Sequence, residues 1–362
     1  MDEDRTKVLM TPPGGGASPY TGLPKTAFWR TGVAERAPLD PGDLYKPRFR
    51  ITRALKIMTA GSCFAQHVGR ALRSNGFDVI DEEPLPPDFS DETAHAFGFR
   101  QYSARYGNIY TARQLDQLLA EAYGEVEPAL PVWEKAGEFY DAQRPGLEPF
   151  GQASAEMVLD LRQSHLAAVR RAVEQADVLV FTFGLTEAWV HAGSGTIYPT
   201  APGTIAGHYD PAIFKFINFG VARVVDEFGK ARKRLKLINP KMRFLLTVSP
   251  VPLTATASGH HVEVATAYSK ATLRAACGLI YRDCPDTDYF PSYEIITSQS
   301  AHAAYYQRNL REVSEQGVQT AMAAFMKAHN ITRPEAASEP DLPQFESGAV
   351  QCEDVLLQAF QS

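Results

Sequence analysis

The stretch IMTAGSCFAQHVGRAL, beginning at Ile57, sets a serine and a thiol side by side. Ser62 and Cys63 stand where an apolar run stops at Gly61 and a helical pattern begins. Either side chain can act as a nucleophile. A group at a helix start faces unpaired N–H groups and the positive end of the helix dipole. That setting lowers a thiol's pKa and favours the thiolate, and it also favours an oxyanion or a phosphate. The same pattern has a structural explanation, with Ser62 as an N-cap and Cys63 as a small buried filler. Residue types alone leave both open.

Other polar residues follow strand-like runs in the same way. After VLVFTF come Gly184, Leu185, Thr186 and Glu187. After FLLTV come Ser249, Pro250 and, further on, His260 and His261. After DYFPSYEII come Ser298, His302 and the run from Asn309 to Glu312. His67 lies one helical turn beyond Cys63. Each of these is also a common cap, turn or surface residue. Gathered at the strand ends of one sheet, they would form a reactive constellation. No GxGxxG follows the first strand and no GxSxG occurs, so neither dinucleotide nor lipase-type chemistry is expected.

The elements that must position these residues are legible as periodicity. Residues 55–60 form an apolar run fit for a buried strand, and Phe64, Val68, Ala71 and Leu72 recur at helical spacing up to Asn75 and Gly76. Further helices are predicted over 112–123, 159–175, 211–237, 262–281 and 315–329, and further strands over 178–183, 243–248 and 288–296. The Gly/Pro/Thr-rich segment 191–211 reads as a loop. Strands alternating with helices predict an α/β fold with a parallel sheet covered on both faces, and such sheets bind ligands beyond the carboxyl ends of their strands.

The chain has 362 residues and a net charge of −6. It has room for a large core, and its balance argues against a dedicated nucleic-acid binder. The basic run 230–236 reads as the solvated end of a long helix. No stretch approaches the ~20 apolar residues of a membrane span, and the acidic N-terminus lacks a signal-peptide core, so a cytoplasmic location is expected. Cys63, Cys277, Cys284 and Cys352 are scattered, which predicts reduced thiols with neither disulfide nor zinc; no cofactor is expected. Residues 1–50 are irregular but carry Phe28, Trp29, Tyr45 and Phe49, so they should wrap the core as an arm and bury those rings. A catalytic domain over 51–333 and an acidic tail over 334–362 complete the expected organisation.

GSCFA at 61–65 resembles the signature of the GSCFA-domain family of bacterial proteins. The resemblance extends through PYTGLPKTAFWR (19–30), SARYGNIYTARQLDQL (103–118), FTFGLTEAW (181–189), TVSPVPLTAT (247–256) and YFPSYEI (289–295). It implies an SGNH hydrolase-like three-layer α/β/α sandwich with flavodoxin-like strand order, and an esterase or acyltransferase activity. By the same resemblance, the G-D-S nucleophile turn falls on Gly61, Ser62 and Cys63. Cys63 then holds the nucleophile's place, with Ser62 as the rival. The oxyanion and substrate-binding positions fall on Gly61, Gly107, Asn108, Gly184, Thr186 and Glu187, where Thr186 replaces an Asn and keeps one donor, worth ~3 kcal/mol if well placed. The late D-x-x-H falls on Asn309 and Glu312, so neither the Asp nor the His is present. His261, then His302, then His67 are the substitutes as proton shuttle. The implied substrate is a small molecule or carbohydrate bearing an acyl group; the alternative is a non-catalytic carbohydrate- or cofactor-binding protein on the same scaffold.

Overall fold

Lys56–Gly61 forms strand β1, and its side chains from Ile57 onward are buried. Cys63–Ser74 forms helix α1, whose apolar stripe of Phe64, Val68 and Leu72 is buried. In this computed structural model, Gly16, residues 18–37 and 39–331, and Leu357 are described. The acidic tail and Cys352 lie outside the described residues, Leu357 apart. The chain continues through β2 (Asp78–Val79), α2 (Asp91–Ala96), α3 (Ala112–Ala122), β3 (Val132–Lys135), β4 (Glu138–Asp141), α4 (Ala155–Gln175), β5 (Val178–Phe183), β6 (Glu187–His191), β7 (Ile197–Tyr198) and β8 (Phe214–Asn218). It ends with α5 (Val221–Ile238), β9 (Arg243–Val248), α6 (Val262–Asp283), β10 (Thr287–Tyr289), α7 (Ser292–Ile296) and α8 (Glu315–His329).

Five strands build the central sheet in the order β10-β9-β5-β1-β2, and every pairing is parallel. Counted along the chain this is 2-1-3-4-5, the flavodoxin-like order of an α/β sandwich. The strands are apolar on both sides because each face is covered. Met58, Leu179, Phe181 and Phe244 pack with Leu115 and Leu119 of α3, Val169 of α4, Phe228 of α5 and Leu273 of α6. Ile57, Val178, Val180 and Leu245 pack on the opposite side with Phe64 and Leu72 of α1, Ile296 of α7 and Phe325 of α8. Each large apolar side chain so buried contributes roughly 1.5–3 kcal/mol.

Three expectations are corrected. The helix predicted over 211–237 is a strand followed by a helix: β8 pairs antiparallel with β6, and Gly220 caps α5. FKFIN alternates at period 2 and then meets a helical period, so the two patterns run together in sequence. The strand predicted over 288–296 stops at Tyr289; Pro291 has no N–H for a ladder, and α7 follows. The segment 191–211 contains β7, which joins β6 and β8 in a three-stranded sheet.

The expected arm is divided. Tyr45 is buried, packs edge-on to Phe290 with ring centroids 5.1 Å apart, and donates to Asp288 Oδ2 at 3.0 Å. Phe28 and Trp29 stay exposed, the latter by 65 %, because the short turns that carry them bury no residue. No helix among the described residues is long and apolar enough to cross a membrane.

Candidate active site

β1 ends on Gly61 at φ 137°. A Cβ there would lie 2.4 Å from the Thr182 carbonyl oxygen and 2.7 Å from its nitrogen, since Gly61 pairs with Thr182 across the β1–β5 ladder. Glycine is therefore required where strand gives way to helix. Ser62 occupies the N-cap of α1, and its N–H donates to Thr182 O at 3.0 Å. Its side chain makes no capping bond, whereas Ser90, Thr111, Ser154 and Ser314 cap α2, α3, α4 and α8. Ser62 Oγ is buried with no hydrogen-bond partner among the described residues. The capping explanation of Ser62 thus fails at the side chain. Cys63 opens the helix; it exposes 4 % of its surface and Ser62 2 %.

Two loops close on this corner. Gly107, at φ 68°, turns the chain so that Ile109 N–H donates to the Gly61 carbonyl at 2.8 Å. Gly184, at the end of β5, donates to Tyr110 O at 3.0 Å, and a Cβ on it would lie 2.7 Å from Ser62 Cβ. Asn108 is buried, with Oδ1 accepting from the Tyr102 hydroxyl at 2.6 Å and from Gln66 Nε2 at 3.2 Å. That fixes the oxygen end and turns the donating Nδ2 away from both. Thr186 N–H donates to Ser269 Oγ at 3.1 Å, while Thr186 Oγ1 is buried without a hydrogen-bond partner among the described residues. Ser62 and Thr186 therefore each hold a hydroxyl whose hydrogen bond is unmet. Leaving such a group unsatisfied costs ~1–3 kcal/mol, which a bound oxyanion would recover. Glu187 is half-buried, which raises its carboxyl pKa, and it accepts from Thr256 Oγ1 at 2.7 Å.

The expected proton shuttles do not join this group. His261 is exposed and serves as the N-cap of α6, with Nδ1 accepting from Glu263 N–H at 3.2 Å. His302 is exposed in a left-handed turn at φ 46°. Neither hydrogen-bonds to Ser62 or Cys63. His67 faces Phe64 and sits with Nδ1 3.2 Å from Arg70; burial, and then that guanidinium, lower its pKa to about 3. Asn309 and Glu312 are exposed parts of one turn, in which Asn309 Oδ1 accepts the N–H groups of Arg311 and Glu312, each at 3.0 Å. Sequence spacing says nothing of which way the side chains of this turn face.

One residue of the corner went unnoticed in the sequence. Lys270 of α6 is buried, and its Nζ donates to the Gly184 carbonyl at 2.8 Å. The available signal was a lysine on the apolar stripe of a helix, between Ala265 and Leu273.

A closed cavity of about 10 Å³ lies behind Ile109, lined by Tyr106, Gln143, Arg144 and His165 among others. An open groove of about 290 Å³ runs between Leu253, Glu263 and Asn309. Neither is lined by Ser62 or Cys63. Among the described residues no group of three or more His, Cys, Asp or Glu side chains is placed to hold a metal ion.

The profile of the GSCFA family matches residues 56–325, a span that includes the corner, the Gly184 loop, Lys270 and the late turn. A solved structure, a carbohydrate esterase family 3 protein from Talaromyces cellulolyticus, is similar over 77 % of this chain and 100 % of its own, at 10 % identity and a TM-score of 0.33. A likeness that distant says nothing of the reaction. No curated protein matches the chain in sequence.

Proposed function

The chain belongs to the GSCFA family, and from that premise we propose that it is an esterase or acyltransferase working through a covalent acyl intermediate on Cys63. The observation that carries this reading is the uncapped start of α1. The N-cap side chain makes no capping bond, and a thiol stands at the first helical position. The dipole and amides there favour a thiolate.

The sulfur attacks an acyl carbonyl, forming an S–C bond as the carbonyl electrons move onto oxygen. First-turn amides, the Thr186 hydroxyl and Asn108 Nδ2 are the donors offered to that oxyanion. Collapse of the intermediate breaks the C–O bond to the alcohol, which leaves with the proton given up by the thiol. Water or a second hydroxyl then attacks the thioester, takes the acyl group and returns a proton to the sulfur. An O-acylated carbohydrate is the substrate class that the superfamily suggests, an associational argument. Because Ser62 and Cys63 are both buried, an ester reaches them only after the surrounding loops part, and opening belongs to the catalytic cycle.

Trapping tests the reading. The protein is incubated with a fluorophosphonate ester probe and separately with iodoacetamide at mildly acidic pH, and the labelled peptide is mapped. Selective labelling of Cys63 supports it. Labelling of Ser62 moves the nucleophile one residue earlier. The closed corner, with His261 and His302 both outside it, favours the second reading, a non-catalytic binding protein. Absence of label at either residue, while other thiols react at ordinary rates, would establish it.

A further inference from the structure

Helix α6 buries Ala265, Ser269, Lys270, Leu273, Ala276, Cys277 and Ile280 along one stripe. Lys270 holds a place there that packing alone would give to a leucine, and it exposes 2 % of its surface. A buried ammonium costs several kcal/mol unless its protons are met. Nζ spends one of them on the Gly184 carbonyl, at 2.8 Å. The preceding residue, Ser269, accepts the Thr186 N–H at 3.1 Å. Two consecutive residues of α6 therefore grip both ends of the loop Gly184–Leu185–Thr186. That loop bears directly on the corner, since a Cβ at Gly184 would lie 2.7 Å from Ser62 Cβ. Two of the buried hydroxyls with no partner among the described residues, Ser62 Oγ and Thr186 Oγ1, stand on the two segments this grip presses together. A grip on the Gly184 carbonyl needs only a neutral donor. What a lysine adds is an ammonium held on the carbonyl of the residue that rests against Ser62, in surroundings where water screens it little.

We infer that Lys270 is the cation of this site: a positioning residue that holds the Gly184–Thr186 loop and whose ammonium stabilises negative charge on Cys63 and on the acyl oxyanion. The inference rests on the corner being the reactive site. Lys270 keeps its protons throughout and exchanges none with substrate. It stabilises charge and moves no proton, so it does not stand in for a histidine proton shuttle.

The test uses the full chain as Lys270→Met, Lys270→Gln and Lys270→Arg. The thiolate of Cys63 is followed by ultraviolet absorbance against pH, as the difference from Cys63→Ser, so the reading needs neither access to the thiol nor a known substrate. In Lys270→Met the thiolate transition moves to higher pH and turnover of a chromogenic ester falls about tenfold or more in kcat, with KM little changed, as expected when charge stabilisation is lost from the transition state. Lys270→Arg restores most of both. An unchanged thiolate transition and kcat in Lys270→Met or Lys270→Gln, whatever happens to thermal stability, overturns the inference. If neither neutral variant folds, the wild-type transition decides: a Cys63 that ionises at or above the pH of a free thiol overturns it. Failure of the proposed function is seen separately, as no ester turnover by the wild-type chain or as turnover that survives in both Cys63→Ala and Ser62→Ala.

Discussion

Gly184 rests directly against Ser62: a methyl group added to it would stand 2.7 Å from Ser62 Cβ and 3.0 Å from the Tyr110 ring. The end of β5 and the turn that opens α1 are thus in van der Waals contact through a glycine. Gly184 is not in the left-handed region, so Gly184→Ala imposes no backbone strain and acts by pushing Ser62 and Tyr110 aside. The expected loss of stability is about 1–3 kcal/mol, as for other overpacked sites. Ester turnover should fall at least tenfold. Denaturant unfolding and steady-state kinetics on the same preparation check this; a variant with normal kcat would show that the corner tolerates displacement and is not the reactive site.

Gly61 is a different case. An alanine there meets the Thr182 backbone at 2.4 Å and must also hold φ near 137°. Backbone strain of this kind costs ~1–3 kcal/mol, and the clash adds to it. Gly61→Ala should therefore lose about 3 kcal/mol or more. Gly124→Ala is the control, at φ 71° with nothing within 4 Å of the added carbon. It should lose only about 1 kcal/mol, from conformation alone. Equal losses in the two variants would remove the argument that β1 and β5 demand a glycine at the corner.

His261 caps α6 and stands outside the reactive group. His261→Ala should cost about 1 kcal/mol, the ordinary value of a lost cap, and leave ester turnover within twofold. A drop in kcat of a hundredfold would reinstate it as the proton shuttle.

Acid stability should be governed by a buried ion network beneath the Gly107–Asn108 loop. Asp141 accepts from Arg162 Nη1 at 3.0 Å and from Arg144 Nε at 2.8 Å, and Arg162 also pairs with Glu121. Burial pushes the Asp141 carboxyl up, but the two guanidinium groups outweigh it and hold the pKa down at about 2. Glu83, beside His165 and Arg144, is likewise held at about 2 against its burial. His165 is lowered to about 4, chiefly by burial. All three groups bind fewer protons folded than unfolded, so each stabilises the fold above its unfolded pKa and loses that contribution as pH falls. His165 acts between its ordinary value of 6.5 and about 4, and the carboxylates act below that, down to about 2. Melting temperature should fall in two stages on acidification, and His165→Gln should reduce the upper one, to which His67, lowered to about 3, and His329, lowered to about 4, also contribute. Asp141→Asn, which removes the carboxylate shared by two buried guanidinium groups, should cost ~3–5 kcal/mol at neutral pH. A melting temperature flat from pH 7 to 4 would contradict the assignment.

The sequence by itself determined the layers. Apolar runs at 178–183 and 243–248 declared strands covered on both faces, and α8 begins and ends where its periodicity does, because burial acts on each residue locally. It also declared the corner, since a strand meeting a helix through Gly-Ser-Cys is a local event. It misjudged 211–237, where a short strand runs straight into a helix with only Gly220 between them, and 288–296, where an apolar run hides a proline break.

Tertiary structure alone decided which side chains meet there. Gly184 lies against Ser62, and Lys270 reaches Gly184, although these residues are far apart in the chain. His261 and His302, the first two histidines proposed as shuttles, turn to solvent. Spacing along a chain specifies which strand end a residue follows, but the direction of a loop side chain depends on packing against elements remote in sequence. A lysine on a helix stripe reveals its purpose only when the helix is docked.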